Sequence, residues 1–378
     1  MKVGIRLIRI SKWQLYCLMM LFEIGSTTVF GLGIDAKQDA WIAILIAMLC
    51  GFVLIWVFTE IQKYYPDKNF VDILIAVLGK WIAVPLILLY ALQFFWISTL
   101  NFREFGELVS MILLPSIHLS IILAIFMLTT VYILCLGYEV LARLGEIMYP
   151  LVVFFILIVF ILIGFSGEVD FTRLQPILGN GLKPVLKASI PSIVNFPFGE
   201  MIVFLMFWHY ANEKQSVRRV AFFVTFTIGL LLSSLLILMI TVLDVPYATN
   251  STIPIYEVIK LINIGDVITN LDSIATIVMF IGGFFKMTIH FYGGILAIKS
   301  LLKVDNEKRL IILFGILLTW FSIAYYPNLI FHRWVGLKMS ISYFYSGFTV
   351  LEIVCPILIL VIIILKKRLC GNKVGNRT

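Results

Sequence analysis

The stretch Glu23 to Gly33, EIGSTTVFGLG, decides how the chain is read, because it sets a carboxylate, a glycine and three consecutive hydroxyl residues inside an apolar run from Trp13 to Gly33. Gly25 followed by Ser26, Thr27 and Thr28 is poor helix material and good capping material, so a helix break is expected there. A second stretch, Asn195 to Glu200 (NFPFGE), lies near the middle of the run from Ala188 to Tyr210. Pro197 lacks a backbone donor and its ring clashes with the preceding turn, so this helix is expected to break as well. Interrupted membrane helices at corresponding places in two halves of a chain point to a binding site at the membrane midplane. The physical reason is backbone supply: half-helix N–H groups suit a carboxylate, and freed carbonyls suit an ammonium or a cation. The plainer reading is that Gly, Pro and Ser serve in membrane helices as packing and kink residues.

The rest of the 378 residues supports a membrane setting. Of them 61% are hydrophobic and 13% charged, against about 25% charged in soluble domains, and mean hydropathy is +1.06. A water-soluble enzyme is excluded. A hydrocarbon core of ~30 Å needs about 20 apolar residues per helix. Ten such runs are present: Trp13–Gly33, Ala40–Ile61, Trp81–Leu100, Ile117–Leu136, Ile147–Phe165, Ala188–Tyr210, Val220–Leu243, Val267–Ile298, Leu310–Tyr326 and Ser340–Leu365. The expected fold class is therefore an all-α polytopic membrane protein of about ten transmembrane helices. Ten divides as five and five; since five is odd, the second half enters the membrane in the opposite sense, as an inverted repeat requires. The division is expected at residues 1–166 and 167–378.

The net charge of +8 does not indicate nucleic acid, because the basic residues sit in short loops and not in one patch. With a cytoplasmic N-terminus, the inside segments carry most of the Lys and Arg, including Lys2, Arg6, Lys63, Lys68, Lys214, Arg218, Lys303 and Lys373. The outside segments carry Lys37, Arg103, Arg173, Lys183, Lys187, Lys260, Arg333 and Lys338. Both termini are thus expected to be cytoplasmic, and the basic N-terminal MKVGIRLIRISKW reads as the flank of an uncleaved first span. Gly137 to Glu146, with Glu139 and Arg143 at i,i+4, reads as a short interfacial helix, and PIYEVIKLI, from Pro254, as a short surface helix.

Cys17, Cys50, Cys135, Cys355 and Cys370 show no paired spacing, so no disulfide framework or metal site follows. His118, His209, His290 and His332 are scattered; His290, one turn after Lys286, admits a proton role or a packing role. No nucleophile elbow, P-loop or H-E-x-x-H arrangement is present, and neither an enzyme nor a cofactor is expected.

Four ionisable residues fall near the centres of spans: Glu23, Glu200, Lys286 and Glu352. Each costs at least about 2.5 to 3.5 kcal/mol there on insertion scales, so each should face protein, water or a partner. Fully ionised, the four total minus two, so a carboxylate must be protonated or a cation present. Glu23 and Glu200 flank the two breaks. One reading has them hold a ligand ammonium or a proton while backbone N–H groups around Gly25 to Thr27 receive its carboxylate. The other has them pair structurally with Lys286. Lys286 either supplies the fixed positive charge that sodium provides elsewhere or merely balances the carboxylates. Glu352 reads as a charge-balancing residue. Tyr90, Gln93, Phe94 and Ile97 form an i, i+3, i+4, i+7 face in the third span, and Thr288 lies at similar depth in the eighth. These suit a pocket lining or plain packing.

Taken as an ordered set, EIGSTTVFGLG (Glu23 to Gly33), YYPDKNFVDILIAVLGKW (Tyr64 to Trp81), LARLGEIMYP (Leu141 to Pro150) and NFPFGE (Asn195 to Glu200) make the chain resemble a known family. It is that of the spore germination permease-like proteins, the B subunits of GerA-type nutrient germinant receptors, in the amino acid-polyamine-organocation superfamily. The resemblance runs from about Lys12 to Lys367. It implies a LeuT-like fold of two inverted five-helix repeats with helices 1 and 6 broken, and a ligand pocket between helices 1, 3, 6 and 8. It also implies residence in the spore inner membrane, an A-type membrane subunit and a C-type lipoprotein as partners, and sensing of a small nutrient such as an amino acid. By position it carries the ligand site to Gly25 with Ser26 and Thr27, to Asn195 through Glu200 with Phe198 and Gly199, to Lys286 through Thr288, and to Tyr90 through Ile97 with Gln93 and Phe94; Glu23 as a ligand residue and Lys286 and Glu352 as charge-balancing residues rest on the charge argument above. The first break departs from the superfamily's usual glycine-rich pattern at Ser26-Thr27-Thr28. An amino acid transporter coupled to protons or sodium is the alternative with the same pocket.

Overall fold

A computed structural model describes residues 8–262, 271–336 and 345–375. The expected starts of the eighth and tenth spans, Val267 and Ser340, lie outside the described residues, as do Lys2, Arg6, Lys338 and Arg377. The described residues are helical, with one isolated β-bridge between Ile10 and Ala211. In chain order the α-helices are α1 Lys12–Ile24, α2 Ala40–Tyr64, α3 Phe70–Leu78, α4 Lys80–Ile112, α5 Leu119–Leu136, α6 Tyr138–Ser166, α7 Leu182–Ala188, α8 Val217–Leu243, α9 Val245–Asn250, α10 Pro254–Lys260, α11 Leu271–Leu302, α12 Glu307–Tyr325, α13 Leu329–Arg333, α14 Tyr345–Thr349 and α15 Cys355–Gly375.

Among the described residues nine helical stretches are long and apolar enough to cross a membrane, and they correspond to expected spans two through ten. The first span does not qualify because α1 stops after 13 residues, at Ile24. That shortfall is the break expected at Gly25. A capping box, in which Ser11 accepts from Gln14 N–H and Gln14 returns a bond to Ser11 N–H, starts α1 cleanly. Every residue from Cys17 to Ile24 is buried, so α1 is a central helix. It packs on α6, α8 and α11, while α11 lies along α4 and α2 along α8.

Loop chemistry fixes the turns. Gly79 (φ 76°) and Gly137 (φ 108°) take positive φ and join α3 to α4 and α5 to α6 without clash. The separate interfacial helix expected at Gly137 to Glu146 is instead the first part of the 29-residue α6, because nothing after Tyr138 stops the helix. The surface helix expected at Pro254 is present as α10, with Ile255, Val258 and Ile259 buried.

Polar contacts gather several ends on one face. Ile10 N–H donates to Tyr210 O at 3.0 Å, Arg9 N–H to Glu139 at 3.0 Å, and Lys12 pairs with Glu213 at 3.7 Å. Lys214 pairs with Asp67, and Lys366 donates to Val77 O at 2.6 Å. The chain before α1, the α2–α3 turn, the segment leading into α8 and the second half of α15 therefore share a side rich in cations.

Candidate functional site

The two interruptions meet at the centre. After Ile24, Gly25 turns the chain (φ −23°, ψ −117°) into a short 3-10 turn, Ser26–Thr28. The threonine hydroxyls close the exposed end of α1: Thr27 Oγ1 donates to Glu23 O and, at 3.1 Å, to Ile24 O, while Thr28 Oγ1 donates to Ile24 O at 3.2 Å. These carbonyls have no i+4 donors once the helix stops, and the hydroxyls satisfy them. The helix does not resume directly; a left-handed Gly33 (φ 74°) leads into another 3-10 stretch before α2.

The sixth span is interrupted over a longer distance. From Ser189 to Phe198 the helix is widely wound, with extended backbone at Ile190 (φ −118°, ψ 126°) and Phe196 (φ −120°, ψ 106°), and Gly199–Met206 continues as 3-10 helix. Both extended residues directly precede a proline, which disfavours helical φ/ψ in the residue before it. Phe198 packs where a side chain on Gly51 would stand.

Charge converges on these breaks. Lys286, fully buried on α11, forms an ion pair with Glu200 at 2.6 Å. Its ammonium lies 4.4 Å from the Phe196 ring centroid and 5.1 Å from that of Phe22, within cation–π range. Its stem crosses Gly25 so closely that a Cβ there would stand 2.9 Å from Lys286 Cβ. Glu23 is fully buried, and neither carboxylate oxygen has a hydrogen-bond partner among the described residues. Glu352 accepts from Gln93 Nε2 at 2.5 Å, and a Cβ on Gly199 would stand 2.8 Å from Glu352 Oε2. Tyr90 donates to Leu351 O at 2.6 Å, and Asn195 Nδ2 to Thr349 Oγ1 at 2.6 Å. Helix α4 and the broken sixth span are thus both tied to the segment around Glu352.

A cavity of about 120 Å³ opens between these elements. Of the residues expected from sequence, Ser26, Ile97, Asn195, Glu200 and Glu352 line it. Gln93 and Lys286 reach it through the carboxylates they hold. Gly25 and Gly199 shape its edges by leaving room for Lys286 and Glu352. Tyr90, Phe94 and Phe198 pack behind it, and Thr27 and Thr288 are buried without lining it. His290 points its Nδ1 at Lys286 O, 3.0 Å away, on its own helix.

The other end of the cavity holds residues that the sequence reading placed elsewhere. Glu104 lies 3.3 Å from His332 Nε2 and 2.5 Å from Arg333, and all three line the cavity with Asn101. Arg333 also donates to Thr252 O and faces the Phe30 ring at 5.8 Å. Arg103, expected in an outside loop, is buried in α4, paired with Glu107 at 2.6 Å and donating to Ser322 O at 3.0 Å. The third span therefore runs past Leu100 to Ile112. The i,i+4 spacing of Arg103 and Glu107 was the available signal, since it neutralises the polar segment within a helix. Nothing in sequence joins Glu104 to His332 and Arg333, more than 200 residues away.

A family model described as spore germination protein matches residues 9–330. Spore germination protein KB of Bacillus subtilis (strain 168) is 28% identical over 360 residues, covering 95% of this chain and 96% of its own length. Spore germination protein A2 of the same organism is 25% identical, covering 75% and 77%, and spore germination protein XB of Bacillus anthracis is 25% identical, covering 72% and 74%. Among solved structures, Mhp1, a nucleobase-cation-symport-1 family transporter in a closed conformation with bromovinylhydantoin bound, superposes with a TM-score of 0.64 at 12% identity, over 85% of this chain and 73% of Mhp1. MhsT in complex with L-phenylalanine gives 0.58 at 16% identity, over 95% and 88%. Both neighbours are LeuT-fold transporters. With its described spans, its paired interruptions and a family match over most of its length, the chain belongs to the spore germination protein family and has the LeuT fold.

Proposed function

We propose that the protein is the nutrient-sensing subunit of a spore germinant receptor, binding an amino acid at the membrane midplane and signalling to partner subunits. The observation that carries this reading is the cavity that both helix breaks reach, through Ser26 on one side and Asn195 and Glu200 on the other, with Glu352 in its wall. The carboxylates of Glu200 and Glu352 offer an ammonium its partners, and the backbone N–H groups of Ser26 and Thr27, just past the Gly25 N–H that still bonds Leu21 O, offer a carboxylate its own. The unpartnered oxygens of buried Glu23 supply a further place for an ammonium or a proton. Lys286 provides a built-in positive charge between the first and sixth spans. Tyr90, Gln93, Phe94, Phe198, Gly199 and Thr288 complete the site as supporting residues. The neighbour MhsT, solved with L-phenylalanine, supports an amino acid as the ligand class.

A receptor needs only differential affinity: the ligand stabilises one arrangement of the two repeats, residues 1–166 and 167–378, and thereby biases its partners. The setting is the spore inner membrane, with both termini cytoplasmic and an A-type membrane subunit and a C-type lipoprotein as partners. A second reading, a proton- or sodium-coupled amino acid transporter, is favoured by the likeness to transporter structures. Purified protein in sealed vesicles, given labelled amino acids, separates the two. Saturable binding without accumulation supports the receptor; gradient-driven accumulation supports the transporter; neither, across all amino acids, removes both.

A further inference from the structure

A cleft of about 660 Å³ lies away from the midplane site, on the cation-rich face. Lys63 from the end of α2, Lys214 from the 3-10 turn before α8 and Arg218 from the first turn of α8 line it, together with the amides of Gln62 and Gln215; among the described lining residues there is no carboxylate. The partners of these cations stand outside the cleft's lining. Arg218 pairs with Glu60, Lys63 reaches the same carboxylate at 3.7 Å, and Lys214 pairs with the exposed Asp67. Two carboxylates therefore serve three cations, and one positive charge is left over at the cleft.

The start of α8 adds to that excess. The helix is 27 residues long, its N-cap Ser216 makes no side-chain capping bond, and its first turn holds no acidic residue. It carries Arg218 and Arg219 there instead. Cations at the positive end of a helix dipole repel it, and an anion among them relieves both the dipole and the mutual repulsion. Trp208, fully buried at the cleft, has an indole N–H with no hydrogen-bond partner among the described residues. Unsatisfied buried donors are rare enough to call for an explanation.

We propose that this cleft binds the phosphate of an anionic phospholipid headgroup. It opens where α2 ends and α8 begins, at the level where apolar spans give way to cations, and basic pockets between membrane helices at that level suit lipid phosphates. Trp208 follows directly on the broken sixth span that carries Glu200, so the lipid grips the same element as the midplane site without depending on what that site binds.

The test compares the full-length protein in nanodiscs of phosphatidylcholine alone and with added phosphatidylglycerol, reading the thermal midpoint. Phosphatidylglycerol is expected to raise the midpoint by several degrees. Arg218→Gln and the exposed-site variant Lys63→Glu should each lose most of that rise, whereas Lys308→Gln, an exposed cation elsewhere, should keep it. Trp208→Phe, which keeps an aromatic ring but removes the N–H together with part of the buried ring volume, should shrink the phosphatidylglycerol-dependent rise, whatever it does to the midpoint in phosphatidylcholine alone, so the proposal stays testable if Arg218→Gln fails to fold. Inorganic phosphate in phosphatidylcholine discs supplies the other source. If phosphate reproduces the rise, the cleft variants abolish it and phosphatidylglycerol adds nothing, the lipid assignment is overturned in favour of free phosphate. Equal loss of the rise in Lys308→Gln, or no rise at all, overturns the site.

Discussion

Lys286 Nζ and Glu200 Oε2 meet at 2.6 Å between α11 and the broken sixth span, both buried. Removing one member of a buried pair strands the other, at a cost of about 3 to 5 kcal/mol. Lys286→Met is expected to lower stability on that scale and to weaken the germinant response. Lys286→Met combined with Glu200→Gln should recover most of the stability. Thermal unfolding of the parent, Lys286→Met, Glu200→Gln and the double variant in one detergent checks this; a double variant no better than Lys286→Met would show that the pair does not carry the effect.

Gly25 is the position at which α1 stops and the Lys286 stem crosses. Alanine there puts a methyl group 2.9 Å from Lys286 Cβ and 3.0 Å from Phe22 O, an overpacking that costs about 1 to 3 kcal/mol. Gly25→Ala is expected to insert in the membrane normally and to lose ligand response. Membrane fractionation alongside a germination assay measures both, and an unaltered response would separate Gly25 from the site.

Gln93 and Glu352 join α4 to the tenth span at 2.5 Å. Gln93→Leu leaves a buried carboxyl oxygen without its donor, at about 1 to 3 kcal/mol. Gln93→Leu should therefore unfold earlier, and ligand binding should weaken more than stability does, because Glu352 then shifts at the cavity wall. Calorimetric titration of Gln93→Leu and Gln93→Asn distinguishes the bond from the volume, with the asparagine variant expected to retain part of the affinity.

The membrane-length sixth stretch ends at Met206, earlier than the expected Tyr210, so His209 lies beyond it, half-buried against Tyr210 with Lys214 nearby. Burial first, and Lys214 second, push its imidazole down to about 4. Above about pH 6.5 both folded and unfolded chains hold His209 neutral. As pH falls below that, the unfolded chain takes a proton that the folded one refuses, so stability declines toward pH 4. The thermal midpoint is expected to fall over that interval and to fall less in His209→Gln. An identical pH profile in the variant would assign the decline to other groups.

The number of spans was legible because hydropathy is a local property: spans two through ten reappear as membrane-length helices among the described residues, and the first falls short only because Gly25 breaks it. Both breaks were legible for the same reason, since Gly25 with its hydroxyl neighbours and Pro197 act on their own backbone. The ion pair of Lys286 with Glu200 was one of two readings that charge balance allowed. The Glu104–His332–Arg333 cluster was not legible, because it is assembled by tertiary packing of segments far apart in sequence. Arg103 was misplaced for a related reason. A charged residue after an apolar run looks like the end of a span, and only its partner Glu107 and the Ser322 carbonyl make it acceptable inside one. The capping use of the hydroxyls was legible too, since Thr27 donates to the last carbonyls of α1 as a hydroxyl beside a helix-stopping glycine suggests.

The most direct measurement of the central claim is cysteine protection at the two breaks. In a background with the native cysteines replaced, Ser26→Cys and Asn195→Cys are treated with a small membrane-permeant thiol reagent while each amino acid is supplied in turn. Both positions should react in the absence of ligand, and one amino acid should protect both with the same half-saturating concentration. Reaction at both positions with no protection by any amino acid, or protection of one without the other, would contradict a shared ligand site between the interrupted helices.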